Sequence, residues 1–160
     1  MECVKENDMD EKLISDDISF IRLTDKENIK KVLLEFNDKL PPLQGEEEYV
    51  DSVTEKICEN GIVYCMLLKE EIIGFFAMYA NDTVTKTAFI SFIAVGIPYR
   101  GSGYGSVLLD KAVQTAKENN MKILKLEVLK DNLIAQQFYK KHDFNVVSEG
   151  ENSIYLEKNI

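Results

Sequence analysis

Apolar positions change period several times between residues 18 and 160, and each change marks an element. ISFIRL (18–23) alternates as a strand does. Ile29, Val32, Leu33 and Phe36 then recur at helical spacing behind Thr24, which with Glu27 makes a capping-box pattern. That helix must stop before the prolines of PPLQG (41–45). A second helix is predicted in EEEYVDSVTEKICEN (46–60), where Tyr49, Val50, Val53, Ile57 and Cys58 share a face and Asn60-Gly61 ends the run. IVYCMLL (62–68) and IIGFFAMY (72–79) read as strands of a tight hairpin turned through Lys69, Glu70 and Glu71. After the polar loop NDTVTKT, AFISFIAV (88–95) is nearly all apolar, the pattern of a central strand covered on both faces. Positions 104, 108, 109, 112, 113 and 116 form another helical stripe. ILKLEVL (123–129) is a strand, NLIAQQFYKKH (132–142) a short helix, and FNVVS with SIYLEK a closing hairpin. The order β-α-α-β-β-β-α-β-α-β-β predicts an α/β (α+β) fold with a mixed sheet.

Composition narrows the classes. At 160 residues, 45% hydrophobic and 29% charged, the chain suits one domain with a sizeable core. Residues 18–160 read as that domain, behind an acidic N-terminal segment (1–17) read as a flexible tail. Acidic residues outnumber basic ones by 28 to 19, which argues against a broad electrostatic footprint for nucleic acid or an anionic membrane. A phosphate ligand must then be gripped locally, by backbone donors. No apolar run approaches the roughly 18 residues of a membrane span, and the start lacks a signal peptide's apolar core, so a cytoplasmic protein is expected. Cys3, Cys58 and Cys65 are odd in number and lack metal-ligand spacing, so neither a disulfide framework nor a metal is expected.

The candidate chemistry begins in VGIPYRGSGYGSVLL (95–109), where Gly101, Gly103 and Gly105 lie between the most apolar strand and an amphipathic helix. Such a strand-to-helix turn gathers free N–H groups at the positive end of a helix and makes an anion site. The plainer alternative is a tight turn that happens to be glycine-rich. A P-loop needs a Gly-Lys pair, which is absent. The dinucleotide pattern G-x-G-x-x-G would put its third glycine at Ser106, and three strands precede the loop without intervening helices, although Glu127 lies about the right distance downstream. The pattern [RQ]-x-x-G-x-[GA] fits RGSGYG, with Arg100, Gly103 and Gly105 in register.

With that loop goes LEVLKDNLIAQQFYKKHDF (126–144), carrying Leu126, Val128, Asn132, Ala135, Tyr139 and Phe144, with Asp143 where a glycine is usual. On these two segments the chain resembles the GNAT superfamily of N-acetyltransferases over residues 18 to 158. The resemblance implies the acyl-CoA N-acyltransferase fold, a mixed, mostly antiparallel, twisted sheet of about seven strands with about four helices. It implies acetyl-CoA as co-substrate, its pantetheine arm along Ile93, Ala94 and Val95. The diphosphate would sit on the backbone of Arg100, Gly101, Ser102, Gly103, Tyr104, Gly105 and Ser106. Asn132 is a further cofactor contact by match, or equally a helix N-cap.

The implied reaction is direct attack of a primary amine on the thioester, the Val95 amide stabilising the oxyanion. Tyr139 matches the general acid for the leaving thiolate; otherwise it is a core aromatic beside Phe138. Glu127 aligns with the base of the ribosomal-protein N-terminal branch, and its alternative is a solvent-facing carboxylate. The glutamate of the histone-modifying branch is replaced here by Phe89, and Ser91 is too weak a base to stand in for it. The acceptor is a small-molecule amine or a peptide or protein amine, with no nucleic acid or membrane partner, and a homodimer is compatible with the pattern. Two other classes stay open: an acyl-CoA-binding regulatory domain without turnover, and a dinucleotide-binding enzyme. His142, the single histidine, reads as a cation at a helix end rather than a catalytic group. Cys65 reads as a small buried apolar residue. Glu46–Glu48 is a solvated helix start or an acidic lip, and Tyr79, Asn81 and Asp82 would border the acceptor pocket.

Overall fold

A computed structural model describes residues 17–36 and 47–160. Seven strands, β1 (Ile18–Leu23), β2 (Ile62–Leu68), β3 (Glu71–Asp82), β4 (Thr87–Val95), β5 (Ile123–Leu129), β6 (Asn145–Glu149) and β7 (Ser153–Asn159), form one sheet in the order β1-β2-β3-β4-β5-β7-β6. Four helices accompany them: α1 (Lys26–Glu35), α2 (Glu47–Asn60), α3 (Tyr104–Glu118) and α4 (Leu133–Lys141). The tail and the PPLQG stop signal expected from the sequence lie outside the described residues, Asp17 excepted.

Neighbouring strands pair antiparallel except β4 and β5, which run parallel because α3 carries the chain back between them. The sheet is therefore not the doubly wound parallel sheet of a dinucleotide-binding enzyme. Its two faces are covered by different helix pairs. Ile29, Val32, Leu33, Phe36, Val50 and Ile57 of the α1–α2 segment pack on Val63, Cys65, Phe75, Ala77, Phe92 and Ala94. Leu108, Leu109, Ala112 and Ala116 of α3 and Tyr139 of α4 pack on the opposite face, against Met66, Phe76, Ile90, Leu124, Leu126 and Leu156.

Two local details differ from the sequence pattern. The N-cap of α1 is Asp25, not Thr24: its side chain accepts from the Asn28 amide at 3.1 Å. Asp25 also accepts from Asn28 Nδ2 at 2.7 Å, and these bonds hold its carboxyl below the ordinary range. Strand β3 runs to Asp82, so NDTVTKT is mostly strand end and turn rather than loop. Asp82 closes that turn, accepting from the amides of Val84 and Thr85 and from the Thr85 hydroxyl.

A β-bulge in β4 sets up the site. Ile90 lies opposite Met78 and Phe92 opposite Ala77, so Ser91 is an extra residue without a partner on β3. Strand side chains alternate, so one inserted residue swaps the faces. Ala88 and Ile90 belong to the α3 side, whereas Phe92 and Ala94 belong to the α1–α2 side. Ile93 and Val95 are thereby turned toward α3.

Candidate active site

The parallel pair β4/β5 is in register only from Thr87↔Ile123 to Ile90↔Leu126. Beyond Ile90 the strands part, and a cavity of about 910 Å³ fills the gap. Residues 90–95 of β4 line one wall and residues 126–129 of β5 the other. The Gly96 amide donates to the Ile73 carbonyl at 2.8 Å, which fixes the ladder's phase. Antiparallel pairs alternate between bonded and non-bonded, so Ala94 spends its N–H and C=O on β3 while Ile93 and Val95 turn theirs away from it. Of the three residues matched to the pantetheine arm, Ile93 thus offers both backbone groups to the cavity, Val95 its N–H, and Ala94 neither. An extended, amide-bearing chain could pair along that edge as a strand would.

A single 3-10 turn (Ile97–Tyr99) leads from β4 into the glycine loop. Arg100 places its Nε on the Val95 carbonyl at 2.9 Å, so its side chain ties the loop to the strand end. Gly101 and Gly103 have φ of 80° and 89°, the left-handed region, and Gly103 is the residue before α3. A Cβ on Gly101 would meet nothing within 4 Å, so the glycine there answers a backbone demand rather than a lack of room. The amides of Tyr104, Gly105 and Ser106 open α3 and have no intrahelical acceptor. Arg100, Gly101, Gly103, Gly105 and Ser106 line the cavity with Asn132, Glu127 and Tyr139. Ser102 is not on its wall, and the Tyr104 ring turns elsewhere, edge-on to Tyr99 with centroids 6.1 Å apart.

Tyr139 is 8% exposed and packs edge-on between Phe138 and Phe144, so the core-aromatic description holds for its ring. Its hydroxyl has no hydrogen-bond partner among the described residues. Burial pushes the phenol well above its ordinary value, so it keeps its proton throughout the neutral range. Asn132 caps α4, its Oδ1 accepting from the Ala135 amide at 3.1 Å, and it still lines the cavity. Glu127 is exposed and faces the cavity from β5. Its carboxylate accepts from the Ser153 hydroxyl and is hydrogen-bonded to Tyr155, its cross-strand partner on β7. The negative charge of Glu127 first, then that hydrogen bond, raises the Tyr155 phenol.

Four contributors escape sequence reasoning. Ser153 and Tyr155 reach Glu127 because β7, not β6, lies beside β5, which no local pattern encodes. His142 also lines the cavity: its ring lies on Phe138 with centroids 4.4 Å apart, and its Nε2 is 2.9 Å from Ser106 Oγ. Phe138 reaches the glycine loop too, within 3.5 Å of a Cβ built on Gly105. Cys65 is buried on the opposite side of the sheet, and burial pushes its thiol up to about 11, which suits an inert core residue.

Residues 29–144 match the profile of the Acetyltransferase (GNAT) family, more than half of the chain. The chain belongs to the GNAT acetyltransferase family. Its seven-stranded mixed sheet with four helices is the acyl-CoA N-acyltransferase fold. Streptothricin acetyltransferase A of Bacillus subtilis is 47% identical over 57 residues, 36% of this chain and 33% of that protein. A protein of the same organism assigned as a ribosomal-protein-alanine N-acetyltransferase is 34% identical over 92 residues, 57% of this chain and 60% of that protein. This GNAT chain thus spans only about a third to three fifths of these two curated relatives. A crystal structure assigned as a streptothricin acetyltransferase of Bacillus anthracis, in complex with acetyl coenzyme A, superposes with a TM-score of 0.58 at 33% identity over 63% of each chain. Among the described residues no three potential ligand side chains cluster as a metal site, and no helix is long and apolar enough to cross a membrane.

Proposed function

We propose that this GNAT chain transfers the acetyl group of acetyl-CoA to the nitrogen of a primary amine. One observation carries the reading. An unpaired strand edge, the open amides of a helix N-terminus and a buried phenol without a partner line the same cavity. Each meets one part of the cofactor: the edge its amide-bearing arm, the helix start its diphosphate, the phenol its sulfur. The relative of known structure with acetyl coenzyme A bound supports that choice of co-substrate.

In this reading the amine nitrogen attacks the thioester carbon, and the carbonyl oxygen gains charge near the Val95 amide. The C–S bond then breaks, the sulfur takes its proton from Tyr139, and the phenolate so formed recovers a proton from the nitrogen as the amide forms. The phenol's resistance to ionisation keeps that proton in place until a thiolate forms beside it. An amine arrives mostly as ammonium and must shed a proton first. Glu127, held ready by Ser153 and Tyr155, is the carboxylate on the cavity wall to receive it or to draw the cation in.

Thermal unfolding with acetyl-CoA, NAD or ATP, followed by thiol release with a panel of amines, tests this. Acetyl-CoA at 100 times its Kd should add about 2.7 kcal/mol and raise the midpoint, with the other two ligands silent. Acetyl-CoA stabilisation without thiol release from any amine would instead identify a cofactor-binding regulatory domain. No stabilisation by acetyl-CoA would refute the site.

A further inference from the structure

We infer that Ser106 and His142 form a further contact for the cofactor's diphosphate, one that couples binding to uptake of a proton by His142. The inference rests on the cofactor reading above.

His142 closes α4, and its Nδ1 is 2.8 Å from the Phe138 carbonyl oxygen. A carbonyl can only accept, so Nδ1 carries hydrogen in either charge state. In the neutral ring Nε2 is then bare and must accept, at 2.9 Å, the hydroxyl hydrogen of Ser106. Ser106 has one such hydrogen. While it is spent on His142, Oγ has only lone pairs left to offer the cavity that Ser106 lines, and these repel a phosphate oxygen.

Protonating Nε2 reverses the bond. The imidazolium donates to Ser106 Oγ, which frees the hydroxyl hydrogen to turn toward an anion. Ser106 stands in the first turn of α3, where the open amides of Tyr104, Gly105 and Ser106 already favour one. Ring charge and hydroxyl direction therefore act in the same sense: protonated His142 favours the diphosphate, and a bound diphosphate favours protonated His142.

The surroundings do not quench this coupling. Arg100 and Lys141 line the same cavity, and Lys141 and Asp143 flank His142 in the chain with Lys140 one residue further back. The first turn of α3 has no acidic residue; Asp110 is exposed one turn on. Glu127 is the acidic residue on the described cavity wall, and it belongs to β5 with its own partners Ser153 and Tyr155.

The test uses dephospho-coenzyme A, because the 3′-phosphomonoester of coenzyme A would itself titrate near pH 6. Its Kd for the full chain is measured by calorimetry from pH 5.5 to 8.5, in two buffers of different ionisation enthalpy. Wild type should bind about tenfold more weakly at the upper end and take up protons on binding within that range. His142→Gln, which keeps a neutral side chain able to pair with Ser106, should still bind but lose both the slope and the uptake; His142→Asn serves if the glutamine variant unfolds. A wild-type affinity independent of pH, or the same slope in wild type and variant, overturns the inference while leaving the cofactor site intact. Absence of binding at every pH by wild type overturns the cofactor site and this inference with it.

Discussion

Tyr139→Phe separates a chemical role for the phenol from a structural one. The substitution deletes one oxygen and keeps the ring between Phe138 and Phe144, whose centroids lie 5.2 and 5.5 Å away. That oxygen has no partner among the described residues, so no hydrogen bond is lost from the fold. A buried hydroxyl left unpaired costs about 1–3 kcal/mol, a burden that phenylalanine removes wherever water does not already relieve it. The melting temperature should therefore hold or rise, by roughly 2–4 °C for each kcal/mol in a domain of this size. Turnover should move the other way. A positioned acid contributes about 10²- to 10⁴-fold, or roughly 3–5 kcal/mol of barrier. The assay is thiol release at saturating acetyl-CoA with whichever amine the panel identifies, alongside thermal unfolding and cofactor Kd. A kcat within about threefold of wild type would refute the acid role, leaving water to protonate the thiolate. A melting temperature that falls together with kcat would show the hydroxyl to be structural.

Gly103→Glu puts a Cβ at φ 89° and a carboxylate at the mouth of the anion site, so acetyl-CoA should no longer shift the unfolding midpoint. Gly103→Ala keeps the strain without the charge and should show a weaker loss. Glu127→Gln should cut kcat/KM for the amine at least tenfold with cofactor Kd unchanged, as steady-state kinetics with equilibrium binding would show. Asn132→Ala removes the α4 cap and should cost about 1 kcal/mol, whereas Asn132→Asp keeps the cap but should weaken binding of the anionic cofactor. Alkaline stability checks the burial of Cys65, whose thiol rises from 9.0 to about 11 in the fold. The unfolded chain ionises first, so this contribution is whole below pH 9 and disappears as pH climbs through about 11, a change of roughly 3 kcal/mol. Denaturant midpoints of wild type and Cys65→Ala across pH 8 to 11 should differ in slope in that sense.

Periodicity carried the elements because most strands and helices here bury a face. The alternation of ILKLEVL and the stripe at Leu108, Leu109, Ala112 and Ala116 say which side turns inward before any partner is known. It failed where the decisive fact is an insertion or a neighbour. AFISFIAV reads as one unbroken apolar strand, and nothing local marks Ser91 as the extra residue that turns Ile93 and Val95 toward the cavity. The closing hairpin was legible, but β7 lies between β5 and β6, and the hydrogen bonds of Ser153 and Tyr155 to Glu127 follow from that order alone. His142 looked like a helix-end cation because its partner, Ser106, is 36 residues away in the chain. Glycine spacing located the loop for a reason only partly the expected one, since Gly101 and Gly103 meet a left-handed backbone and a Cβ at Gly101 would not be crowded.

The same geometry would let a chain of net charge −9 hold the proposed phosphorylated cofactor. Charge spread over a solvated surface is screened within about 8–10 Å at ordinary ionic strength, whereas hydrogen bonds from fixed amides act at contact. Affinity then depends on where donors point more than on how many lysines the chain carries. The left-handed Gly101 and Gly103 aim the loop, the Arg100 bond to Val95 locks it to β4, and α3 presents open amides at its start. The parting of β4 from β5 beyond Ile90 leaves backbone groups unpaired beside them, at a cost in sheet hydrogen bonds that an extended ligand can return. The proposed mechanism draws on the same gap: one wall would supply the Val95 amide, the other Glu127, and α4 lines the interval with Tyr139. Closing the gap by continuing the parallel ladder would stabilise the sheet and abolish the cavity, so the proposed activity depends on the incomplete pairing.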